Sequence, residues 1–344
     1  MSDSLAPDHL LETRGVSQQT GAFVVACAFS RGGQTAAFAL GDGTLRLAPR
    51  GAGAWRTVEA HDGGCLALAP DGLGESFLSG GDDGRLVRVG AAVEEIAGYG
   101  MKWVEQVASF ASGKTVLSAC AVGKMVHLFD GAGHELKTLE HPSTVTGLAF
   151  DAKGKRIAAS HYNGASLWFV ASKSDNPRRL EWNGSHTAIT LSPDGDVVVT
   201  AMQENALHGW RLSDGQHMRM SGYPAKTKAL GFTRSGKWLA SSGAGALVLW
   251  PFFGGGPMGK APQELAGGGE VLVSTLACHP EHEVVAAGFA DGLVVLADVS
   301  SGRILPVCGP GRGPVSAIAW SGDGAQLAFG TESGFAALVD FSSR

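Results

Sequence analysis

The sequence predicts an all-β fold, a single eight-bladed β-propeller of four-stranded antiparallel blades. The first observation is that short stretches of alternating apolar residues recur along nearly the whole chain, and such alternation is typical of half-buried β-strands. The second is that polar, glycine-rich turns separate these stretches, as they do in β-hairpins. The third is that the hairpins repeat about every 41 residues, which is the length of a propeller blade.

Eight copies of the unit align on the residue that closes the first strand of each copy. Six of the seven intervals between these residues lie between 39 and 42 residues, and one is 46. Within each copy, a second strand and a third strand follow this residue, and a more polar fourth stretch leads to the next copy. The closing residues are Phe29, Leu68, Ser109, Phe150, Leu191, Phe232, Cys278 and Trp320.

The two ends of the repeat array predict how the ring closes. The last copy stops after its third strand, "GFAALVDFSSR". The N-terminal segment "HLLETRG", residues 9–15, resembles a free fourth strand, and we expect it to complete the last blade. Residues 1–344 are therefore treated as one domain, and residues 252–270 as a glycine-rich insertion that explains the one long interval.

Composition limits the classes of partner and of compartment. The formal charge is −5 and the pI is about 6.1, so the chain has no overall attraction to nucleic acid or to anionic membranes. The five cysteines are far apart and form no CxxC pair, which is typical of reduced thiols in a cytoplasmic protein. No apolar run reaches the roughly 18 residues of a membrane span. Abundant Gly and Ala with few Tyr are typical of a GC-rich bacterial genome.

The third strands carry a resemblance to the WD-repeat β-propeller family. In that family the third strand ends in Trp-Asp, and a His stands nine residues before the residue that closes the first strand. Here Trp occupies the first position in three copies and Asp the second in three others, and the His is matched by His141. The matching residues are Trp168, Trp210 and Trp250, and Asp130, Asp298 and Asp340. The resemblance implies a monomeric, non-catalytic scaffold or adaptor without a cofactor.

The resemblance also implies a binding face. In WD-repeat relatives, proteins and peptides bind at the face formed by the fourth-to-first and second-to-third strand connections. Several residues predicted at these positions are Trp, Tyr or Arg, the types that dominate binding hot spots. The predicted protein-binding residues are Asp62, Lys102, Trp103, Tyr162, Trp182, Met202, Tyr223, Lys226, Phe289 and Arg312.

One stretch, "GGGPMGK" at residues 254–260, matches part of the nucleotide-binding pattern G-x-x-x-x-G-K-[ST]. That pattern requires a helix immediately after it, so that backbone N–H groups face the phosphate. Here Ala261 replaces the Ser or Thr, and Pro262 follows at once. We therefore interpret the stretch as a flexible insertion at the rim of the ring, without a nucleotide.

Two other groups of residues keep an alternative function open. Cys278, His279 and His282 in "CHPEH" have a spacing that metal ligands can have, although a solvated turn is the simpler interpretation. Four acidic residues, Asp42, Asp83, Glu204 and Asp291, come from equivalent turns. In WD-repeat relatives such carboxylates brace their own blade. The alternatives are a metal-dependent hydrolase or lactonase, and an accessory protein that handles a small molecule or metal. No catalytic, cofactor-binding or metal-binding residue is assigned.

Overall fold

The computed structural model describes residues 9–51, 53–173 and 176–342, and these residues are predominantly β-structure. A short helix, α1 (Leu10–Arg14), leads directly into β1 (Gly15–Gln19). Three four-stranded antiparallel sheets follow along the chain. They consist of β2 (Val24–Phe29), β3 (Thr35–Leu40), β4 (Thr44–Pro49) and β5 (Arg56–Glu59); β6 (Cys65–Pro70), β7 (Phe77–Gly81), β8 (Arg85–Val89) and β9 (Val93–Gly98); and β10 (Gln106–Ser112), β11 (Thr115–Val122), β12 (Met125–Asp130) and β13 (Glu135–Glu140).

The fourth and fifth copies share one six-stranded sheet. Its strands are β14 (Gly147–Phe150), β15 (Arg156–Phe169), β16 (Arg178–Leu191), β17 (Val197–Met202), β18 (Ala206–Arg211) and β19 (His217–Ser221). The first half of β16 pairs with β15 and its second half pairs with β17. One strand therefore serves both as the fourth strand of copy four and as the first strand of copy five.

Three further four-stranded sheets complete the described chain. They consist of β20 (Leu230–Phe232), β21 (Trp238–Ser241), β22 (Leu247–Pro251) and β23 (Gln263–Leu265); β24 (Val273–Cys278), β25 (Val284–Phe289), β26 (Val294–Asp298) and β27 (Ile304–Cys308); and β28 (Val315–Trp320), β29 (Gln326–Thr331) and β30 (Phe335–Asp340) with β1.

The prediction of eight four-stranded blades is therefore wrong. The described residues form seven sheets, six of four strands and one of six. The physical reason is the pairing of Tyr162 in β15 with Ser185 in β16, which links the strands of copy four to the half of β16 that begins copy five. Eight copies of the repeat thus build a propeller of seven hydrogen-bonded sheets.

The first strands meet around the axis and are held there by hydroxyl groups. Ser274 Oγ donates to the Val315 carbonyl oxygen at 2.6 Å, and Ser316 Oγ donates to the Val24 carbonyl oxygen at 2.6 Å. Each bond joins the first strand of one sheet to that of the next. The two donors occupy the same position of the repeat, and their bonds tie the first strands β24, β28 and β2 together.

The core lies between adjacent sheets. Ala37 and Leu45 of one sheet pack against Phe77 and Val87 of the next, and all four side chains are fully buried. An alanine facing a phenylalanine lets two sheets approach while filling the space between them. Each four-stranded sheet thus buries both faces, which a lone sheet in water could not do.

The ring closes through β1, which pairs with β30 along its whole length, from Gly15 opposite Val339 to Gln19 opposite Phe335. The strand begins later than expected, because residues 10–14 of the segment 9–15 form α1 instead. The helical turn buries Leu11 in the apolar cluster that contains Cys308 and Phe335.

The glycine-rich segment 252–270 also contributes a strand to its sheet. Residues 263–265 of the segment 252–270 form β23, the fourth strand of their sheet.

We predict that Leu11→Ala lowers the free energy of unfolding by about 2–4 kcal/mol, because it leaves a cavity beneath α1 at the closure of the ring. Thr13→Ala, on the exposed side of the same helix, should change it by less than about 0.5 kcal/mol. Denaturant unfolding monitored by tryptophan fluorescence measures both. Equal midpoints for the two variants would show that α1 does not stabilise the closure.

Candidate functional site

The second-to-third turns and the fourth-to-first connections touch each other on one face of the ring. Gly84 lies in the turn between β7 and β8 with a φ of +78°, and a Cβ there would be 2.0 Å from the carbonyl oxygen of Gly100. Gly43 approaches the carbonyl oxygen of Gly63 equally closely, with a φ of +85°. Only glycine combines this conformation with this approach. The two sets of loops therefore form one packed surface, named here the loop face.

Five of the ten predicted binding residues are exposed on the loop face. The side chain of Asp62 is 93% exposed, and Trp103 and Tyr162 are 55% and 60% exposed. Lys102 and Lys226 are exposed as well. These side chains can reach a partner without any rearrangement of the fold.

Three other predicted residues are buried, so they do not contribute to the exposed surface. Met202 and Phe289 are each 4% exposed, because both end second strands whose side chains face neighbouring sheets. Tyr223 is 8% exposed and bridges two strands. Its hydroxyl lies 2.6 Å from Ser241 Oγ and accepts a hydrogen bond from Trp250 Nε1 at 2.6 Å. Burial raises the pKa of Tyr223 to about 12, so it stays a neutral bracing group.

The last two predicted residues are half-buried and engaged by their own neighbourhood. Trp182 stacks on the buried His208 ring with 3.9 Å between the ring centroids. Arg312 lies over the Phe335 ring at 5.1 Å and donates to the Gly309 carbonyl oxygen at 3.3 Å. Both shape the loop face, but each has less side chain available to a partner than Trp103 or Tyr162.

A cleft of about 440 Å³ opens on the loop face at the fourth copy. It lies beside a turn at Asn163 and Gly164, whose φ values are 65° and 138°. The chain reverses direction there, since the Val170 N–H donates to the Lys155 carbonyl oxygen at 2.9 Å. Sequence reasoning named Tyr162 but missed the cleft beside it. The lining residues are Pro142, Ser143, His161, Tyr162, Asn163, Ala165, Arg179, Leu180, Glu181 and Asn183.

The polar groups on the inner wall of the cleft are already hydrogen bonded. His161 Nδ1 lies 2.9 Å from the Tyr162 carbonyl oxygen, and His161 Nε2 lies 2.9 Å from Ser166 Oγ. Burial lowers the pKa of His161, so the ring is neutral and donates to the carbonyl. Ser166 is only 1% exposed, which keeps a substrate from reaching its hydroxyl. This Ser–His pair braces the wall of the cleft.

A bracing network also occurs in the second copy, where sequence reasoning did not find it. His61 Nδ1 lies 3.0 Å from Asp83 Oδ1, and His61 Nε2 lies 3.0 Å from Ser79 Oγ. The pairing register of Pro70 with Phe77 matches that of Phe150 with Ile157. Pro70, rather than Leu68, is thus the closing residue of copy two. With this correction His61 stands nine residues before it, as His141 does before Phe150.

Known proteins resemble the chain in sequence at a low level. Autophagy-related protein 16 of Arabidopsis thaliana is 22% identical over 294 residues, which are 81% of this chain and 56% of that protein. WD repeat-containing protein slp1 of Schizosaccharomyces pombe is 27% identical over 176 residues, 47% of this chain and 36% of that protein. WD repeat-containing protein 55 of Rattus norvegicus is 22% identical over 211 residues, 59% of this chain and 53% of that protein. The chain therefore resembles WD-repeat proteins in sequence, and its described residues form a β-propeller.

Structural comparison gives the same fold. The crystal structure of the computationally designed Ika8 protein superposes with a TM-score of 0.74 at 20% identity, covering 94% of this chain and 98% of that one. No protein-family model matches the chain. The chain spans about half, or less, of the length of the three relatives described above, so their similarity supports a protein-interaction scaffold only in general terms.

The acidic residues of the second-to-third turns brace the loop face. Asp42 Oδ1 accepts from the N–H of Thr44 at 3.0 Å, and Asp291 Oδ1 accepts from the N–H of Leu293 at 3.0 Å. Glu204 Oε1 accepts from the N–H of Ser185 at 3.0 Å, and Asp83 is held by His61. Each carboxylate is thus engaged locally. Within the described ranges, no group of three or more His, Cys, Asp or Glu residues has the geometry of a metal site.

His279 of the "CHPEH" stretch has both ring nitrogens engaged. Its Nδ1 accepts from the N–H groups of Glu281 and His282, each at 3.0 Å, which leaves Nε2 to donate to the Gly324 carbonyl oxygen at 3.1 Å. The ring therefore shapes its own turn and links β24 to the neighbouring sheet. A metal at either nitrogen would have to displace these bonds.

The "GGGPMGK" stretch closes on itself. Lys260 Nζ donates to the carbonyl oxygens of Phe253 and Gly254 and lies 5.1 Å from the centre of the Phe253 ring. The ammonium group that would hold a phosphate is thus capped by its own loop.

Among the described residues, no helix is long and apolar enough to cross a membrane.

We predict that acid destabilises the protein through its buried histidines, and His141 tests this. Its Nε2 accepts a hydrogen bond from Trp168 Nε1 at 3.1 Å. Burial, with a smaller effect of His161, lowers its pKa from 6.5 to about 4. Folding therefore favours the neutral ring, and its stabilising effect is complete above pH 6.5 and is lost as the pH falls towards 4.

At pH 5 this linkage costs the folded state about 2 kcal/mol relative to pH 7. His141→Gln should remove this share of the pH dependence of the unfolding free energy, as measured by denaturant titrations at both pH values. His134→Gln, which changes a side chain that is 80% exposed, should leave the wild-type slope. An unchanged slope for His141→Gln would contradict the prediction.

Proposed function

We propose that this chain is a non-catalytic scaffold that binds a protein or peptide through the loop face. The observation that carries the proposal is the set of exposed apolar side chains on that face. Met101 is 96% exposed, Tyr162 60%, Trp103 55% and Phe23 41%. Large exposed apolar side chains gathered on one surface are typical of interaction sites, and Trp and Tyr are enriched in binding hot spots.

The positions of these side chains support one binding area. Met101 and Trp103 lie in the connection from β9 to β10, and Phe23 lies in the connection from β1 to β2. Tyr162 stands at the cleft of the fourth copy, beside Pro142 of the next connection along the chain. A partner lying across these connections would bury several aromatic anchors and reach the cleft in the same contact.

The loops that carry these residues are braced before any partner arrives. The Tyr162 N–H donates to Ser143 Oγ at 2.9 Å, and the Gly184 N–H donates to Asn163 Oδ1 at 3.2 Å. Binding therefore costs little ordering of the backbone, which favours affinity. The residues proposed to contact the partner are Asp62, Lys102, Trp103, Tyr162 and Lys226, with Trp182 and Arg312 at the margin.

We also propose that the chain forms one domain and acts as a monomer in the cytoplasm. Pairing of β1 with β30 closes the ring, so no sheet edge requires a second copy. The five cysteines are all free, as is usual in a reducing compartment. Light scattering of the purified protein measures the oligomeric state, and a stable dimer would contradict this part of the proposal.

The test is to select peptides from a random display library on the immobilised wild-type protein and to measure their Kd by fluorescence polarisation. Trp103→Ala/Tyr162→Ala should weaken binding by about tenfold or more, because two aromatic anchors are lost. The matched control is Leu73→Ala/Leu136→Ala, which removes two side chains that are 47% and 49% exposed outside the loop face. Peptides held equally by both variants would place the binding site elsewhere.

A further inference from the structure

The charge of the fourth copy differs in sign from that of the rest of the chain. Residues 151–180 contain six Lys and Arg and two Asp, a formal charge of +4, while the remaining residues together carry −9. This local excess of positive charge lies within one repeat, because β15 and the start of β16 pair with each other. An acidic molecule would therefore be drawn to this copy in preference to the rest of the surface.

Several of these cations surround a second cleft, on the face opposite to the loop face. The cleft has a volume of about 210 Å³ and lies between the first-to-second turn of copy four and that of copy five. Lys173 and Arg178 are exposed at the same end of the sheet. The lining residues are Asp151, Ala152, Lys153, Lys155, Arg156, Phe169, Pro193, Asp194 and Gly195.

The charged groups of this cleft divide into those that hold the fold and those that are free. Arg156 Nε donates to Asp151 Oδ2 at 2.8 Å, and Arg156 Nη2 donates to the Gly195 carbonyl oxygen at 2.7 Å. Asp194 Oδ1 accepts from Ser192 Oγ at 2.5 Å and from the N–H of Asp196 at 3.0 Å. These groups fix the walls of the cleft and the distance between the two turns.

Lys153 and Lys155 remain available to a ligand. Both are exposed, and in the described part of the chain neither ammonium group takes part in an ion pair, whereas Arg156 beside them does. The ammonium groups of such exposed lysines can pair with an incoming carboxylate.

An apolar anchor stands beside the two lysines. Phe169 ends β15 and is 59% exposed, although the Trp168 side chain next to it is only 6% exposed. With Pro193 it forms the apolar part of the cleft. Cations next to an exposed aromatic ring fit a segment that combines acidic residues with an apolar side chain.

We propose that the fourth copy carries a second interaction surface, formed by Lys153, Lys155 and Phe169, that binds an acidic peptide segment with an apolar side chain. A peptide fits better than a nucleic acid. The carboxylates of Asp151 and Asp194 stand in the walls of the cleft, and the negative charge of the remaining chain would repel a phosphate backbone that extends beyond this copy.

The test uses short fluorescein-labelled peptides of Asp and Glu around a central Leu-Phe pair, with a Gln and Asn version of the same length as the neutral probe. We expect the acidic peptide to bind at least about tenfold more tightly at low salt, and to lose affinity steeply between about 50 and about 300 mM NaCl. Lys153→Glu/Lys155→Glu should weaken the acidic peptide by about tenfold or more through like-charge repulsion. Phe169→Ala should weaken both peptides and leave the salt dependence unchanged.

The matched control is Arg234→Glu/Lys237→Glu, which reverses two exposed cations in the same turn of the sixth copy. It should change the affinity by less than about twofold. Equal loss in both charge-reversed variants, or no preference for the acidic peptide, would overturn the proposal. Tighter binding of a labelled single-stranded oligonucleotide than of the acidic peptide would also overturn it, in favour of a phosphate ligand. Trp103→Ala/Tyr162→Ala should leave the acidic peptide bound, so this surface and the loop face are tested separately.

Discussion

The pairing of β1 with β30 is the contact on which the rest of the structure depends. Each sheet hides its two faces against its neighbours, so an open array would leave one apolar face exposed at each end. The N-terminal strand removes this problem by supplying the last sheet with its fourth strand from the other end of the chain. Thr20 extends the closure, because its Oγ1 donates to the carbonyl oxygen of Gly334 at 2.9 Å. Closure of this kind makes the first and last sheets pack against each other. Because it joins the two ends of the chain, it is formed at a cost in chain entropy.

Closure also decides where binding can occur. The sheet faces are buried and the first strands are crowded around the axis. Most of the surface that a partner can reach therefore lies in the loops and along the outer strands. On the loop face the turns are packed against the next connection, as the approach of Gly84 to Gly100 shows. Exposed side chains such as Met101 and Trp103 are thus presented from a fixed backbone. Loops on a rigid scaffold are common sites of recognition, and the tight packing of these loops explains why large side chains can remain exposed without disturbing the ring.

Much of the architecture could be predicted from the sequence, because strand alternation and a period of about 41 residues are local properties. What failed depended on pairing between copies and on register. The joining of copies four and five rests on the pairing of Tyr162 with Ser185, which a repeat period does not predict. The position of His61 was missed because Leu68 was aligned in place of Pro70. Spacing placed Met202 and Phe289 near the loop face, but their burial follows from the direction of each side chain at the end of a strand, which a period alone does not give.

Both of the proposed surfaces of the fourth copy depend on residues of β15. Its cleft on the loop face and its basic cleft on the opposite face are both built on β15, with Tyr162 near the middle of that strand and Phe169 at its end. The residues between them are almost all buried, including Leu167 and Trp168, so the two surfaces are joined by a packed β-strand rather than by a mobile loop. Because packed interiors resist small deformations, two partners bound at these surfaces would be held in a fixed relative orientation. Holding partners in a fixed geometry raises their effective concentration for each other, which is how the proposed scaffold would promote contact between two partners.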